Sequence, residues 1–231
     1  MLPPNTEHLR LVDEVVQRLE ESILSGEMRT GDRLLVVPLA QHYGTSQSTI
    51  REAFLILERR GLIKTRPRRG ASVTRLSERE AFELCQARAL LEGYALAEGA
   101  DAVDSAMLAR MQGHITAIRA CNLPADLPRV IQADLSFHGE IMALCRNDAL
   151  IELWSTLNGR LGALVMRTAE QRQLDVEDMA RYHEEVLHVM EGRNAERSYR
   201  EIVRHYMRGF DQELRLGRSF AAAILPTPGS E

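Results

Sequence analysis

Four side chains in the C-terminal half of the sequence have the types and spacing to bind one metal ion together. Asp134 and His138 are four residues apart in ADLSFHGEIM, so on a helix they share one face, one turn apart. His183 and His205 fall in two later segments with helical periodicity. Because metal sites in helical bundles are assembled from facing helices, this pattern predicts a site formed by Asp134, His138, His183 and His205.

The kind of ligand limits the ion and its chemistry. Three imidazoles and one carboxylate without a thiolate suit a divalent zinc, nickel, manganese or iron ion, and ligand softness does not select among these. Such an ion could serve an enzyme, with Glu184 as base, or be purely structural. No nucleophile–base pair accompanies it, so we expect no enzyme. The simplest alternative is that the histidines lie separately on helix exteriors.

Arg88 is a second candidate, because it stands among apolar residues in QARALLEGYALA. An arginine that faces the core of a bundle requires an anion. Glu92, one helical turn later, could supply it, and so could a bound ligand. A divalent ion with one carboxylate ligand keeps one positive charge and Arg88 adds another, so a small carboxylate could bridge them. Arg88 is therefore a candidate effector-binding residue.

The N-terminal segment has the order of a winged helix-turn-helix. A helix over Leu11–Ile23 comes first, then a short helix PLAQHY that ends at Gly44, and then a helix from Ser46 to Arg60. An arginine-rich hairpin follows, with strands over 62–65 and 71–74. In such modules the second helix of the motif enters the major groove by its N-terminal end. The alternative is a small folded domain with a basic exterior.

Candidate DNA contacts lie at the start of this helix and in the hairpin. Short hydroxyl side chains at a helix N-terminus suit phosphates, whereas Gln47 and Arg51 can reach base edges. Arginines in the wing can neutralise phosphate or enter the minor groove, and Gly70 allows close approach of the backbone. The predicted set is Ser46, Gln47, Ser48, Thr49 and Arg51 in the helix and Arg66, Arg68, Arg69 and Gly70 in the wing.

Composition agrees with a globular chain that binds a polyanion at one end. The 231 residues are 45% apolar and 27% charged. Residues 1–76 carry 12 basic and 9 acidic side chains, a net charge of +3, and the remainder carries 17 and 24, a net charge of −7. Three widely separated cysteines argue against disulfides and a thiolate zinc site. No apolar run approaches the ~18 residues of a membrane span, so we expect a cytoplasmic protein.

We expect a mainly α fold, in which a winged helix-turn-helix precedes an all-helical antiparallel bundle. The capping box SERE at Ser77 marks the start of the second domain. The predicted domains are 1–76 for DNA binding and 77–220 for metal and effector binding and dimerisation, with 221–231 a flexible tail. Six helices are predicted in the second domain, over 77–99, 101–121, 126–145, 148–172, 176–192 and 194–216.

The first domain resembles the N-terminal domain of GntR-family transcription regulators. The resemblance rests on the GDRL turn, the LA pair, the pattern S-xxxx-REA-xxx-LE-xx-GLI and the wing RG-xx-V. It implies a regulator that binds a near-palindromic double-stranded DNA operator as a homodimer. Repression relieved by a ligand is common among such relatives.

The second domain is similar to the FCD effector domain of FadR-type regulators. It matches in the R-xxx-E of Arg88 and Glu92, the D-xxx-H of Asp134 and His138, and the later His183 and His205. The resemblance implies that these last four residues bind a metal and that Arg88 meets a small organic acid. Six helices would place the chain near the VanR-like group.

Overall fold

The computed structural model describes residues 6–66, 70–171, 173–208 and 210. Within them the chain is mainly helical, with ten α-helices and one three-stranded sheet. Two compact units divide the chain at Leu76–Ser77, and the first unit also includes Asn122–Ile131 and Thr156–Leu174. Arg68, Arg69 and the predicted tail 221–231 lie outside the described residues.

The first unit opens with a winged helix-turn-helix. The sheet is antiparallel with strand order β1–β3–β2, and Thr65 pairs with Ala71 in the predicted hairpin, which is confirmed. The two-residue strand β1 was not predicted, because two residues are too few to show a periodicity. The elements are α1 (Thr6–Leu24), β1 (Arg33–Leu34), α2 (Val36–His42), α3 (Gln47–Arg59), β2 (Ile63–Arg66) and β3 (Gly70–Val73).

Local signals define the ends of α3, the helix predicted to enter the major groove, which is named here the recognition helix. Ser46 is its N-cap, and its Oγ accepts a hydrogen bond from the Thr49 N–H at 3.1 Å. Gly61 follows the helix with φ of +77°, a conformation that glycine adopts without strain. The apolar face of α3, which includes Ile50 and Leu57, is buried, and α3 packs against α1. Gln47, Ser48 and Arg51, at the start of α3, remain exposed.

Among the described residues, seven further α-helices follow Ser77. The predicted capping box is confirmed, because the Ser77 Oγ accepts from the Glu80 N–H and the Glu80 carboxylate accepts from the Ser77 N–H. The elements are α4 (Glu78–Gly99), a 3₁₀ turn (Ala100–Ala102), α5 (Ser105–Arg119), α6 (Leu127–Met142), α7 (Asp148–Ser155), α8 (Asn158–Glu170), α9 (Val176–Glu191) and α10 (Ala195–Met207).

Two predicted helices of this domain differ from the structure. The segment 148–172 is not one helix but two, α7 and α8, because its apolar periodicity continues across the break and conceals it. The helix predicted from residue 101 begins only at Ser105, where Asp104 caps it by accepting from the Met107 N–H at 2.7 Å. Seven helices in the described part of the domain replace the predicted six, and the basis for a VanR-like assignment disappears.

Candidate functional site

Three helices of the second unit bring the predicted metal ligands together. Asp134 and His138 lie on α6, His183 on α9 and His205 on α10. One nitrogen from each imidazole lies within 4.8 Å of those of the other two. The Asp134 Oδ1 is 3.1 Å from the His183 Nε2 and 3.9 Å from the His138 Nε2. The four side chains therefore form one cluster, named here the histidine cluster, and do not lie on separate helix exteriors.

Hydrogen bonds on the outer nitrogens orient two of the imidazoles. The His183 Nδ1 lies 2.7 Å from the Met179 carbonyl oxygen, which can only accept, so Nδ1 carries the proton. The His138 Nδ1 donates in the same way to the Glu92 Oε2 at 2.6 Å. In neutral imidazoles this leaves the two Nε2 lone pairs directed at the cluster. Such outer partners are typical of histidines that bind metals.

Two nitrogens of the cluster are buried without a hydrogen-bond partner. They are the His183 Nε2 and the His205 Nδ1. A buried polar atom without a partner is costly, and a divalent cation would satisfy both lone pairs. Burial, together with the adjacent His183 and His138, holds the pKa of His205 well below its usual value. His205 is therefore neutral near pH 7, the form that binds a metal. These residues fit a divalent ion.

The carboxylate of the cluster is ionised in spite of its burial. Burial alone would raise the pKa of Asp134, but the adjacent His183, His138 and Arg88 side chains hold the pKa below its usual value. A carboxylate beside three imidazoles is the donor set predicted from the sequence. One negative charge from Asp134 would lower the charge of a bound divalent ion to one.

Arg88 belongs to a buried polar network next to the cluster. Arg88 and Glu92 both have fully buried side chains, and the Arg88 Nη2 lies 3.0 Å from the Glu92 Oε1. The Arg88 Nε donates to the Tyr206 hydroxyl at 2.9 Å, and its guanidinium stacks on the Trp154 ring at 4.4 Å. Glu92 is thus the anion that the sequence offered as one alternative, and the effector role of Arg88 stays a prediction.

Glu92 connects this network to the histidine cluster. Its Oε1 also accepts from the Trp154 Nε1 and the Tyr206 hydroxyl, both at 2.7 Å, while its Oε2 accepts from His138. Burial alone would raise the pKa of Glu92, but its contacts with His138 and Arg88 hold that pKa below its usual value. One carboxylate therefore contacts both Arg88 and a candidate metal ligand.

Sequence reasoning missed two members of this network, Trp154 and Tyr206. It gave Glu92 only as a partner of Arg88, and it did not consider Trp154 or Tyr206. The sequence indicates both residues only weakly. Tyr206 directly follows the candidate ligand His205, and Trp154 is the single tryptophan of the chain. Glu184, considered as a base for an enzyme, instead pairs with Arg119 at 2.9 Å.

The candidate DNA contacts of the recognition helix differ in exposure. Gln47, Ser48 and Arg51 are exposed, and the Arg51 Nη2 donates to the Gln47 Oε1 at 3.3 Å. The Thr49 side chain is buried, with its hydroxyl 2.8 Å from the Ser46 Oγ. Thr49 therefore supports the helix cap, and the exposed side chains form the surface that can meet DNA.

In the wing, the described candidates stand at the end of the hairpin. Arg66, the last residue of β2, pairs with Gly70, the first residue of β3, and both are exposed. Gly70 has φ of +76°, a conformation that glycine adopts without strain. A cationic side chain at the tip of an exposed hairpin can reach a phosphate.

Two family models match the chain. The model described as "Bacterial regulatory proteins, gntR family" matches residues 11–73, and the FCD domain model matches residues 83–208. None of the described helices is both long enough and apolar enough to span a bilayer.

Similar proteins carry names of regulators. The HTH-type transcriptional regulator YdhC of Bacillus subtilis is 25% identical over 82% of this chain and 84% of its own. A protein of Paenarthrobacter nicotinovorans named "Probable D-xylose utilization operon transcriptional repressor" is 25% identical over 79% of this chain and 80% of its own. A solved GntR regulator from Rhodococcus sp. RHA1 shares the fold with a TM-score of 0.71 and 20% identity, over 84% of this chain and 93% of its own.

Proposed function

This chain belongs to the GntR family of bacterial transcription regulators and carries an FCD domain, and on that premise we propose that it is a cytoplasmic, metabolite-responsive repressor. Family and relatives are transcriptional regulators and not enzymes. In this proposal a divalent ion bound by Asp134, His138, His183 and His205 senses a small carboxylate, and the winged domains bind the operator.

The metal assignment rests on one observation above the others. Two imidazole nitrogens, the His183 Nε2 and the His205 Nδ1, are buried without hydrogen-bond partners beside an ionised Asp134. In a closely packed interior such atoms are costly unless an ion binds them. When bound, the ion supplies Lewis-acid positions that attract an anionic oxygen, and the protein residues hold and orient it.

Charge supports a small carboxylate as the effector. With Asp134 as its one anionic ligand, a divalent ion retains a single positive charge. Arg88 and Glu92 form a neutral pair, so the site as a whole attracts a monoanion. An effector carboxylate that draws the Arg88 guanidinium toward the ion would have to compete with Glu92. Effector binding would therefore rearrange the network around Arg88.

DNA binding would follow the geometry of paired winged domains. A homodimer would dock two recognition helices on adjacent half-sites, so a near-palindromic operator is expected. Ser46 and Ser48 would meet phosphates, Gln47 and Arg51 base edges, and Arg66, Arg68, Arg69 and Gly70 the neighbouring backbone or minor groove. The effector would change DNA affinity only by its differential affinity for two arrangements of the dimer.

The proposal is tested with purified full-length chain and a duplex selected from random DNA. We expect the selected duplex to be near-palindromic, to be bound by a dimer and to be preferred over a scrambled duplex of equal composition. When small organic acids are added one at a time to the zinc-loaded protein, at least one acid should weaken its binding to the selected duplex. Equal affinity for both duplexes would overturn the regulator. If Zn²⁺ raises the melting temperature but no acid changes DNA affinity, the metal has a purely structural role.

A further inference from the structure

We propose that α7 and α8 transmit the effect of metal binding at the histidine cluster to the recognition helix α3. Trp154 and Gly159 act as positioning residues in this route. This inference rests on the proposed function, because it concerns how the same metal site would regulate DNA binding. The juxtaposition behind it is that one continuous segment, residues 154–159, has a hydrogen bond into the cluster network at one end and backbone contact with α3 at the other.

The first step is the attachment of α7 to the network. Trp154 is buried in the last turn of α7, and its Nε1 donates to the Glu92 Oε1 at 2.7 Å. Glu92 in turn accepts from the candidate ligand His138 at 2.6 Å. A change in the position of His138 or Glu92 must therefore move Trp154 or break a buried hydrogen bond, which is costly.

The second step is the short connection from α7 to α8. Only Thr156 and Leu157 separate Ser155, the end of α7, from Asn158, the start of α8. Two residues of backbone allow little slack between rigid helices. The chain also leaves the second unit and enters the first at Ser155–Thr156. Through this short connection, a shift of Trp154 is transmitted to the first turn of α8.

The third step is the contact between α8 and the end of the recognition helix. A Cβ placed at Gly159 would lie 1.8 Å from the carbonyl oxygen of Arg60, the C-cap of α3. A Cβ on Gly61 would likewise lie 3.2 Å from the Arg160 backbone nitrogen. The two helix ends are in backbone contact, so a displacement of α8 cannot occur without a response at Arg60.

The other end of α8 is fixed to the same unit. The Glu170 carboxylate accepts from the Thr30 N–H at 2.9 Å and from its hydroxyl at 2.6 Å, and the Arg167 Nη1 donates to the Leu76 carbonyl at 2.8 Å. Because α8 is held at both ends, it moves with the winged domain as one body. Gly159 therefore keeps α8 against the recognition helix, and Trp154 gives α8 a link to the cluster.

Hydrogen exchange of the full-length protein, with Zn²⁺ alone as the probe, tests this route. In the wild type, we expect Zn²⁺ to slow amide exchange by about threefold or more in residues 183–190, 156–162 and 57–63. Trp154→Phe removes the N–H donor but keeps an aromatic ring over Arg88. In this variant we expect the response to survive in 183–190 and to be lost in 156–162 and 57–63.

Gly159→Ala and Gly113→Ala form a matched pair of helical substitutions. The Cβ added at Gly159 must push α8 from Arg60, whereas nothing lies within 4 Å of a Cβ added at Gly113. We expect Gly159→Ala to lose the zinc response only in 57–63, and Gly113→Ala to respond like the wild type.

The outcomes separate this proposal from the function it rests on. Zinc binding that protects only 183–190 in the wild type, or a full wild-type response in Trp154→Phe, would overturn the route and leave the metal site intact. A wild type that binds no Zn²⁺ by elemental analysis would overturn the proposed function and the route together.

Discussion

At the scale of single residues, Arg88 shows that the role of a side chain depends on the groups that surround it. The sequence offered two anions for it, Glu92 and a bound ligand. The structure gives it Glu92, a tyrosine hydroxyl and the face of Trp154 in a fully buried setting. Glu92 was predictable from its spacing of four residues, but Tyr206 and Trp154 were not, because contacts across 118 and 66 residues depend on the packing of helices.

Arg88→Ala is predicted to destabilise the protein strongly. It leaves the Glu92 carboxylate buried without its cationic partner, and losing one partner of a buried pair costs roughly 3–5 kcal/mol of unfolding free energy. Denaturant unfolding measures the change. The control is Arg79→Ala, which removes an exposed pair with Glu83 and should change stability little. Equal stability of the two variants would contradict the assigned network.

Arg88→Lys, which keeps the charge but loses the planar fork, is the better variant for testing effector binding.

Glu92→Gln is predicted to weaken metal binding without abolishing it. The carboxylate fixes the tautomer and orientation of His138, and loss of such an outer partner lowers metal affinity by about 10- to 100-fold. Competition with a chelator measures the affinity for Zn²⁺. The exposed Glu83→Gln serves as control. An unchanged affinity in Glu92→Gln would show that His138 needs no carboxylate partner.

Arg51→Ala is predicted to weaken binding to the selected duplex by ~1–3 kcal/mol and to relax base preference at one position. Arg51 is exposed in the second turn of the recognition helix, where it also contacts Gln47. Arg59→Ala, at the far end of the same helix, is the matched control and should leave base preference intact. Retained preference in Arg51→Ala would place base reading elsewhere.

At the scale of elements, sequence signals succeeded where they are local. Ser46, Ser77 and Gly61 defined helix ends because a cap needs only its own neighbours. The break between α7 and α8 escaped prediction, because Leu157 at the N-cap makes no side-chain cap and nothing in the periodicity changes there. That break is nevertheless where the chain passes between its two units.

Arg66 in the wing is predicted to contact a phosphate and not to read base edges. Arg66→Ala should therefore weaken binding to the selected and the scrambled duplex alike, and reduce the slope of log affinity against log salt by about one. Titrations at several salt concentrations measure this slope. Arg79→Ala, on α4, should leave the slope unchanged. An unchanged slope in Arg66→Ala would remove this residue from the phosphate contacts.

At the scale of the whole molecule, the sequence predicted both the class of protein and the residues that converge. Helical periodicity alone places Asp134 and His138 on one face of α6. Their contact with His183 and His205 depends on how the helices pack, which the periodicity does not give. The structure brings all four into one cluster. The outer partners of the imidazoles could not be predicted, since one of them, the Met179 carbonyl, is backbone.

Calorimetric titration of metal-free full-length protein with Zn²⁺ tests the central claim most directly. We predict one ion per chain for the wild type and none for the double variant His183→Ala/His205→Ala. The control His114→Ala/His188→Ala removes two histidines that lie outside the cluster and should still bind one ion. A wild type that takes up no ion, or a cluster variant that binds as the control does, would contradict the account.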